Sequence, residues 1–176
     1  MQEDDAQGHR ASGLYSHEER LRRDASRWTL VQGVLAPLQF AVFLISTWLV
    51  WRYLATGEGA GIAAASVVLK TFILYSIMVT GSLWEHDVFG RYLFARAFFW
   101  EDVVSMLVMA LHTAYLICLV FDLLPVREQL YIALAAYLTY VINAAQFLWK
   151  FRLARRQPKF AAAEPTLAQR ARAAGV

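Results

Sequence analysis

Four long apolar runs restrict what this chain can fold into more than any other feature. They lie at about 29–53, 62–84, 98–121 and 130–149. Each is long enough for a helix to cross about 30 Å of hydrocarbon, which takes about 20 residues. The chain is 59% hydrophobic and 18% charged, whereas soluble domains are roughly 45–50% apolar and about 25% charged. We therefore predict an all-α integral membrane bundle of four transmembrane helices, forming one domain over 29–150.

The basic residues predict how this bundle is oriented. Short connections at 56–59 and 122–129 pair the spans as two antiparallel hairpins, which the longer loop 85–97 joins. Fourteen of the 17 Lys and Arg residues lie in the N-terminal segment, in this middle loop or in the C-terminal tail. Because cytoplasmic segments carry the excess of basic residues, we predict that both termini are cytoplasmic.

The two ends of the chain are predicted to lie outside the bilayer. Residues 1–28 hold no apolar core, so we expect no cleavable signal peptide. Within them, Ser16-His17-Glu18-Glu19 fits a capping box and predicts a short amphipathic helix through Arg27 at the lipid interface. Residues 151–176 form a basic cytoplasmic tail. The sequence pI near 9.2 then reflects contact with anionic lipid and not with nucleic acid.

Polar side chains gather at the cytoplasmic ends of all four spans. An ionisable group in a bilayer costs several kcal/mol unless it is paired or faces water, so each is a candidate functional residue. A rise of about 1.5 Å per residue places these groups in one layer. An alternative is that they only stabilise helix dipoles or contact headgroup water. The layer comprises Gln32 on the first span, Glu85 and His86 on the second, Glu101 and Asp102 on the third, and Asn143 and Gln146 on the fourth.

Two further ionisable residues are predicted to lie deeper. His112 falls within roughly 20° of the face of Glu101 and about 16 Å farther along the helix, near the depth of Lys70. A lone intramembrane histidine is usually hydrogen-bonded across helices, yet it could ligate a chlorin magnesium or a haem iron. Lys70 could pair or extend towards water. The sequence has no spacing typical of a protein-bound metal and one cysteine, Cys118, so we expect no cofactor and no disulfide.

Several segments resemble one family, over about residues 15–156. The family is the 2-vinyl bacteriochlorophyllide hydratase, or chlorophyllide 3-vinyl hydratase, of bacteriochlorophyll biosynthesis. The segments that carry the resemblance are WTLVQGVLAP from Trp28, RYLATGEG from Arg52, MVTGSLWE from Met78, FFWEDV from Phe98, ALHTAY from Ala110 and NAAQFLWK from Asn143.

The resemblance implies a hydro-lyase of a bacterial photosynthetic membrane. Its reaction would hydrate the C3 vinyl group of chlorophyllide a or bacteriochlorophyllide to a 1-hydroxyethyl group. The partner would be a pigment dissolved in the bilayer, and a homo-oligomer or contact with other pigment-synthesis enzymes remains open.

A mechanism follows if this activity is combined with the polar layer. Hydration needs a proton on the terminal vinyl carbon and a hydroxide equivalent on the inner one, so an acid and a positioned water are required. Two carboxyls in one layer of low dielectric do not ionise together readily, which keeps one protonated. We predict Glu101 as the acid because apolar residues surround it most closely. Glu85 or Asp102 would act as the base.

The remaining polar residues are predicted to hold the substrate or its water. Two other functions stay open on the residues alone: a non-enzymatic pigment- or haem-binding protein, and an assembly subunit of a photosynthetic complex in which the layer only joins helices. The predicted substrate-binding residues are Asn143, Gln146 and Gln32, with His112 or His86 as ligand of the pigment magnesium.

Overall fold

The computed structural model describes residues 15–156, which form five α-helices and no strand within that range. The first 14 residues, and residues 157–176 of the predicted tail, lie outside the described residues. Helices α2 to α5 are each long and apolar enough to cross a membrane, so the predicted all-α, four-span architecture is confirmed for a multi-pass membrane protein. The helices are α1 (His17–Ala25), α2 (Arg27–Thr56), α3 (Ala60–Phe89), α4 (Phe99–Val120) and α5 (Val126–Arg156).

Most of the helices extend beyond the apolar runs that predicted them. Helix α3 continues through Glu85 to Phe89 and ends where Gly90 adopts a left-handed conformation with φ of 72°. The residues from 85 to 89 are therefore helical, and the middle loop is shorter than predicted. Helix α5 likewise continues through Arg156, into the predicted tail. The reason is that hydropathy marks the hydrocarbon, whereas a helix ends at a capping residue.

Helix α1 has the predicted capping box. The Ser16 hydroxyl accepts from the Glu19 backbone N–H at 3.2 Å, and the Glu19 carboxylate accepts from the Ser16 backbone N–H at 2.7 Å. The helix ends at Ala25, two residues earlier than predicted, because Ser26 caps α2 by accepting from the Trp28 backbone N–H at 3.3 Å. Helix α1 contacts α3. Its predicted position on a lipid surface stays a prediction.

Helices α2 to α5 form two hairpins. Helix α2 packs closely on α3, and α4 packs closely on α5, whereas contacts between the two hairpins are fewer. The tight α2–α3 connection is possible because Gly57 and Gly59 adopt left-handed conformations, with φ of 75° and 82°. The core between the hairpins is built from all four helices, for example Phe43, Leu74, Val108 and Tyr137. Large apolar side chains cover the outer faces, as expected for lipid contact.

The loop between α3 and α4 folds back onto the bundle. Ala95 is 2% exposed and Phe98 is fully buried. Phe98 lies among aromatic rings from three other segments: it is 5.6 Å from Trp84, 5.8 Å from Phe147 and 6.3 Å from Tyr15, measured between ring centroids. This aromatic cluster closes the end of the bundle at which the polar layer lies.

Candidate active site

A buried pair of carboxyl groups joins the two hairpins. Glu85 on α3 is 5% exposed and Asp102 on α4 is 3% exposed. Consecutive backbone N–H groups of one loop reach both side chains, so the two carboxyls lie close together. Two adjacent carboxylates in apolar surroundings repel each other, so this arrangement favours one proton shared between them. The pair can therefore store and release a proton.

The α3–α4 loop holds both carboxyls in place with consecutive backbone donors. The Phe94 N–H donates to Asp102 Oδ2 at 2.8 Å, and the Ala95 N–H donates to Glu85 Oε2 at 3.2 Å. Phe94 has φ of 59°, a left-handed conformation that is uncommon for a bulky residue. Each carboxyl keeps a second oxygen for the shared proton. Spacing along the sequence gave no signal for these loop donors.

Glu101 is buried beside an ammonium group. It is 6% exposed, and Lys150 Nζ lies 2.5 Å from its Oε2 atom. The same ammonium donates to the Ala97 carbonyl and lies 5.1 Å from the centre of the Phe98 ring. Because Lys150 contacts Oε2, the Oε1 atom of Glu101 is left to exchange a proton with a ligand.

Lys150 is a site residue that was not predicted from the sequence. Its position beyond the last apolar run indicated only a basic residue on the predicted cytoplasmic side. A signal for its inward position was available, because Lys150 follows Gln146 by four residues and therefore lies on the same helix face.

A pocket of about 460 Å³ lies beside this ion pair. Most of its wall is apolar, and Ile142 and Trp149 are 50% and 69% exposed, so the pocket opens on the outer side of the bundle. Glu85 and Asp102 do not line it. A flat apolar molecule in the bilayer could enter here and meet a carboxyl group. The lining residues are Glu101, Ile142, Ala145, Gln146, Trp149 and Lys150.

Two amide side chains extend the polar layer along α5. The Asn143 amide donates to the Ser105 hydroxyl at 2.6 Å, which links α5 to α4. Asn143 Oδ1 and Gln146 Oε1 are buried, and neither has a hydrogen-bond partner within residues 15–156. These oxygens are acceptors that a ligand or a water could use.

Two predicted site residues have partners other than the carboxyls. The Gln32 amide donates to the Thr80 hydroxyl at 2.7 Å and to a backbone carbonyl at 3.2 Å, so it joins α2 to α3. His86 is exposed and stacks on Tyr92 with 4.3 Å between ring centroids. A substrate-binding role of either residue stays a prediction.

His112 and Lys70 form a separate, deeper cluster. Both are fully buried. The His112 ring lies 5.8 Å from the Tyr137 ring, and Lys70 Nζ lies 5.4 Å from Tyr137 and 4.0 Å from Tyr140, measured to ring centroids. His112 shares the buried face of α4 with Glu101, as predicted, but about 16 Å of helix separates them. Across residues 15–156, no group of three or more His, Cys, Asp or Glu residues could hold a metal ion.

Comparisons with known proteins identify the family. The model of the 2-vinyl bacteriochlorophyllide hydratase family matches residues 15–153. The 2-vinyl bacteriochlorophyllide hydratase of Cereibacter sphaeroides is 68% identical over 142 residues, which cover 81% of this chain and 88% of the relative. That of Rhodobacter capsulatus is 63% identical over 144 residues, which cover 82% and 84%.

No solved structure matches this chain significantly. The family predicted from the sequence segments is confirmed, and the match includes every residue of the candidate site. A family of hydratases favours an enzyme over the pigment-binding and assembly alternatives. The chain belongs to the 2-vinyl bacteriochlorophyllide hydratase family and is a hydro-lyase.

Proposed function

We propose that this enzyme adds water to the C3 vinyl group of chlorophyllide a or bacteriochlorophyllide, giving a 1-hydroxyethyl group. The observation that carries the proposal is a buried carboxyl, Glu101, at the wall of an apolar pocket that opens on the outer face of the bundle. The substrate named for both relatives is a vinyl bacteriochlorophyllide, and this supports the choice of pigment.

The reaction needs acid–base chemistry. A proton adds to the terminal vinyl carbon, and the resulting cation on the inner carbon is stabilised by conjugation with the macrocycle. Water then bonds to the inner carbon and loses a proton. One water is consumed, no electron is transferred to or from another molecule, and the proton lost replaces the proton delivered.

Glu101 is the group we assign as proton donor. It is the carboxyl that lines the pocket. Lys150 holds Oε2 at 2.5 Å, so Oε1 can carry the proton towards the vinyl group. After each turnover the acid must receive a proton again from a neighbouring group.

We assign that supply to Glu85 and Asp102. Asp102 follows Glu101 directly on α4, so the pair is proposed to accept, through an intervening water, the proton that the attacking water loses and to return it to Glu101 for the next turnover. Asn143 and Gln146 are proposed to hold the pigment in the pocket, because their unpartnered oxygens lie on the same side of α5.

The test is a conversion assay on membranes that contain the full chain. They are incubated with chlorophyllide a, and in parallel with a vinyl bacteriochlorophyllide, in ¹⁸O-labelled water. We expect a blue shift of the red absorption band, a mass increase of one water, and the label in the new hydroxyl group. Absence of conversion of both pigments by well-inserted protein would overturn the proposal.

A further inference from the structure

We propose that the side-chain oxygen of Gln146 binds the magnesium of the pigment as its axial ligand. This inference rests on the proposed function, since it requires a magnesium chlorin in the pocket beside Glu101. It goes further because it assigns which protein atom fixes the centre of the macrocycle and therefore where the vinyl group lies.

The first argument is the environment of Gln146. Its side chain lines the pocket, yet its Oε1 atom is buried without a hydrogen-bond partner among the described residues. An unpartnered buried amide oxygen is unfavourable. The terminal torsion of glutamine is broad and roughly two-fold, so the amide can turn over and present Oε1 to the pocket.

The turned amide gains a partner on its inner side. Asn143 lies three residues earlier on the same face of α5, a spacing at which side chains of a helix meet. Its Oδ1 atom is also buried without a partner within residues 15–156, while its amide nitrogen is occupied by Ser105 at 2.6 Å. In the turned position the Gln146 nitrogen can donate to Asn143 Oδ1. One rotation thus gives both unpartnered oxygens a partner: Asn143 Oδ1 accepts from the Gln146 amide, and Gln146 Oε1 binds a cation in the pocket.

The second argument is the chemistry of magnesium. Mg²⁺ is a hard cation that prefers oxygen ligands, including amide carbonyl oxygens. In the pocket wall, the Oε2 atom of Glu101 is committed to Lys150, and Ile142, Ala145 and Trp149 offer no side-chain oxygen. Gln146 therefore supplies a neutral, uncommitted oxygen in this wall, which suits a metal whose charge the macrocycle already balances.

The third argument is distance. Five bonds separate the magnesium from the terminal vinyl carbon, so these atoms are less than roughly 8 Å apart at about 1.5 Å per bond. Glu101 and Gln146 line one pocket, and a single pigment can reach both. His112 lies about 16 Å along α4 from Glu101 and does not line the pocket. A pigment ligated there would hold its vinyl group too far from the acid.

The test compares a magnesium chlorin with its metal-free counterpart. The full chain is purified in detergent and titrated with chlorophyllide a and with metal-free pheophorbide a. Binding of each pigment is followed by the change in its own absorption bands, which for chlorophyllide a also report the axial ligation of magnesium. For Gln146→Leu we expect a loss of affinity for the magnesium pigment of roughly tenfold or more, since even outer-sphere groups are worth about 10–100-fold in metal affinity. Affinity for the metal-free pigment should not change. Gln146→Glu, which keeps an oxygen, should retain the preference for the magnesium pigment.

Ile142→Ala is the matched control, because it changes the apolar wall of the same pocket and should weaken binding of both pigments alike. An equal loss of both pigments in Gln146→Leu, or no loss of either, would overturn the inference. If the unaltered enzyme hydrates the vinyl group and Gln146→Leu binds both pigments normally, the ligand assignment fails while the proposed function stands. If binding of the magnesium pigment depends on Gln146 but the unaltered enzyme adds no water to it, the ligand assignment stands and the proposed function fails.

Discussion

Glu101 has different surroundings at its two carboxyl oxygens, and this difference defines its proposed role. Oε2 is held by Lys150, which joins the side chain to α5. Oε1 is the oxygen that can face a ligand in the pocket. A residue with one fixed and one available oxygen can transfer a proton without a change of rotamer.

Replacing Glu101 with Gln tests this role. The substitution keeps the shape of the side chain and removes the transferable proton, so we expect turnover to fall by about 10²–10⁴-fold, the usual contribution of a general acid. Pigment binding should be retained, because the apolar wall is unchanged. Turnover by mass spectrometry and pigment retention by absorption are the measurements. Glu58→Gln, at an exposed position, is the control, and a near-normal rate for Glu101→Gln would refute the assignment.

Lys70 gives a prediction about stability. Its ammonium group is fully buried, and no hydrogen-bond partner lies within residues 15–156. The tyrosine ring 4.0 Å away supplies a cation–π interaction of about 2 kcal/mol at most, which is less than the several kcal/mol needed to bury an ion.

Lys70→Met keeps the volume of the side chain and removes the amine. We therefore expect it to raise the free energy of unfolding by about 1–3 kcal/mol, the penalty for an unsatisfied buried group, and to leave turnover intact. Thermal unfolding in detergent measures the first effect. Lys150→Met should instead lower stability, because it leaves Glu101 buried without its partner. A less stable Lys70→Met would show that this ammonium has a stabilising role.

At the scale of elements, α1 is fixed to the bundle by the tyrosine that precedes it and by the segment that follows it. The Tyr15 ring is 5% exposed and stacks on Phe89 with 5.8 Å between centroids. The Ser26 hydroxyl donates to Asp87 at 2.7 Å, and the Trp84 indole N–H donates to the Thr29 hydroxyl at 2.9 Å. These contacts place α1 over the cytoplasmic end predicted for α3.

Two substitutions of Tyr15 should have opposite outcomes. Tyr15→Ala removes a buried aromatic ring and is expected to cost about 3–5 kcal/mol of local stability, seen as faster trypsin cleavage at Arg20 and Arg22. Tyr15→Phe should cost nothing, because the hydroxyl has no hydrogen-bond partner of suitable geometry among the described residues. Equal cleavage of the two variants would contradict this account.

The difference in stability between the unaltered protein and Tyr15→Phe should not depend on pH in the neutral range. Burial raises the pKa of the Tyr15 phenol to about 12, and the nearby Arg23 guanidinium offsets part of that increase. Stability that depends on the neutral phenol is therefore present in full below pH 10 and is lost only as the pH rises towards 12.

The sequence predicted elements better than side-chain partners. Apolar runs and short connections located both hairpins, because these features follow directly from the thickness of a bilayer. The end of α3 could not be placed, since it depends on a single left-handed glycine, Gly90. Lys150 was missed, because depth along a helix says little about which neighbour a side chain faces.

For the whole molecule, the direction of insertion decides which compartment the site faces. The carboxyl pair, the ion pair and the pocket all lie at the end where the α3–α4 loop is found. Arg91 and Arg96 belong to that loop, whereas Arg52 and Arg127 are at the opposite end. The excess of basic residues predicts that the first end is cytoplasmic, which would give the attacking water a short path to the site.

Labelling of single cysteines tests this orientation. In a Cys118→Ser background, Glu58→Cys and Arg91→Cys each introduce one exposed thiol, at opposite ends of the bundle. A maleimide that does not cross membranes should label Glu58→Cys in cells whose outer envelope has been opened, and Arg91→Cys only in inverted vesicles. The Cys118→Ser protein without a further substitution is the control for background labelling. The reverse pattern would place the active site on the other side of the membrane.

Glu85 and Asp102 lie on different hairpins, and this has a consequence for the synthesis and folding of the enzyme. Glu85 leaves the ribosome on the first hairpin, before its neighbour Asp102 and the loop donor Ala95 have been synthesised. Until the second hairpin docks, that carboxyl lacks its carboxyl neighbour. The pair is therefore complete only in a chain whose two hairpins have docked, and an unpaired Glu85 would mark any chain that has not completed this step.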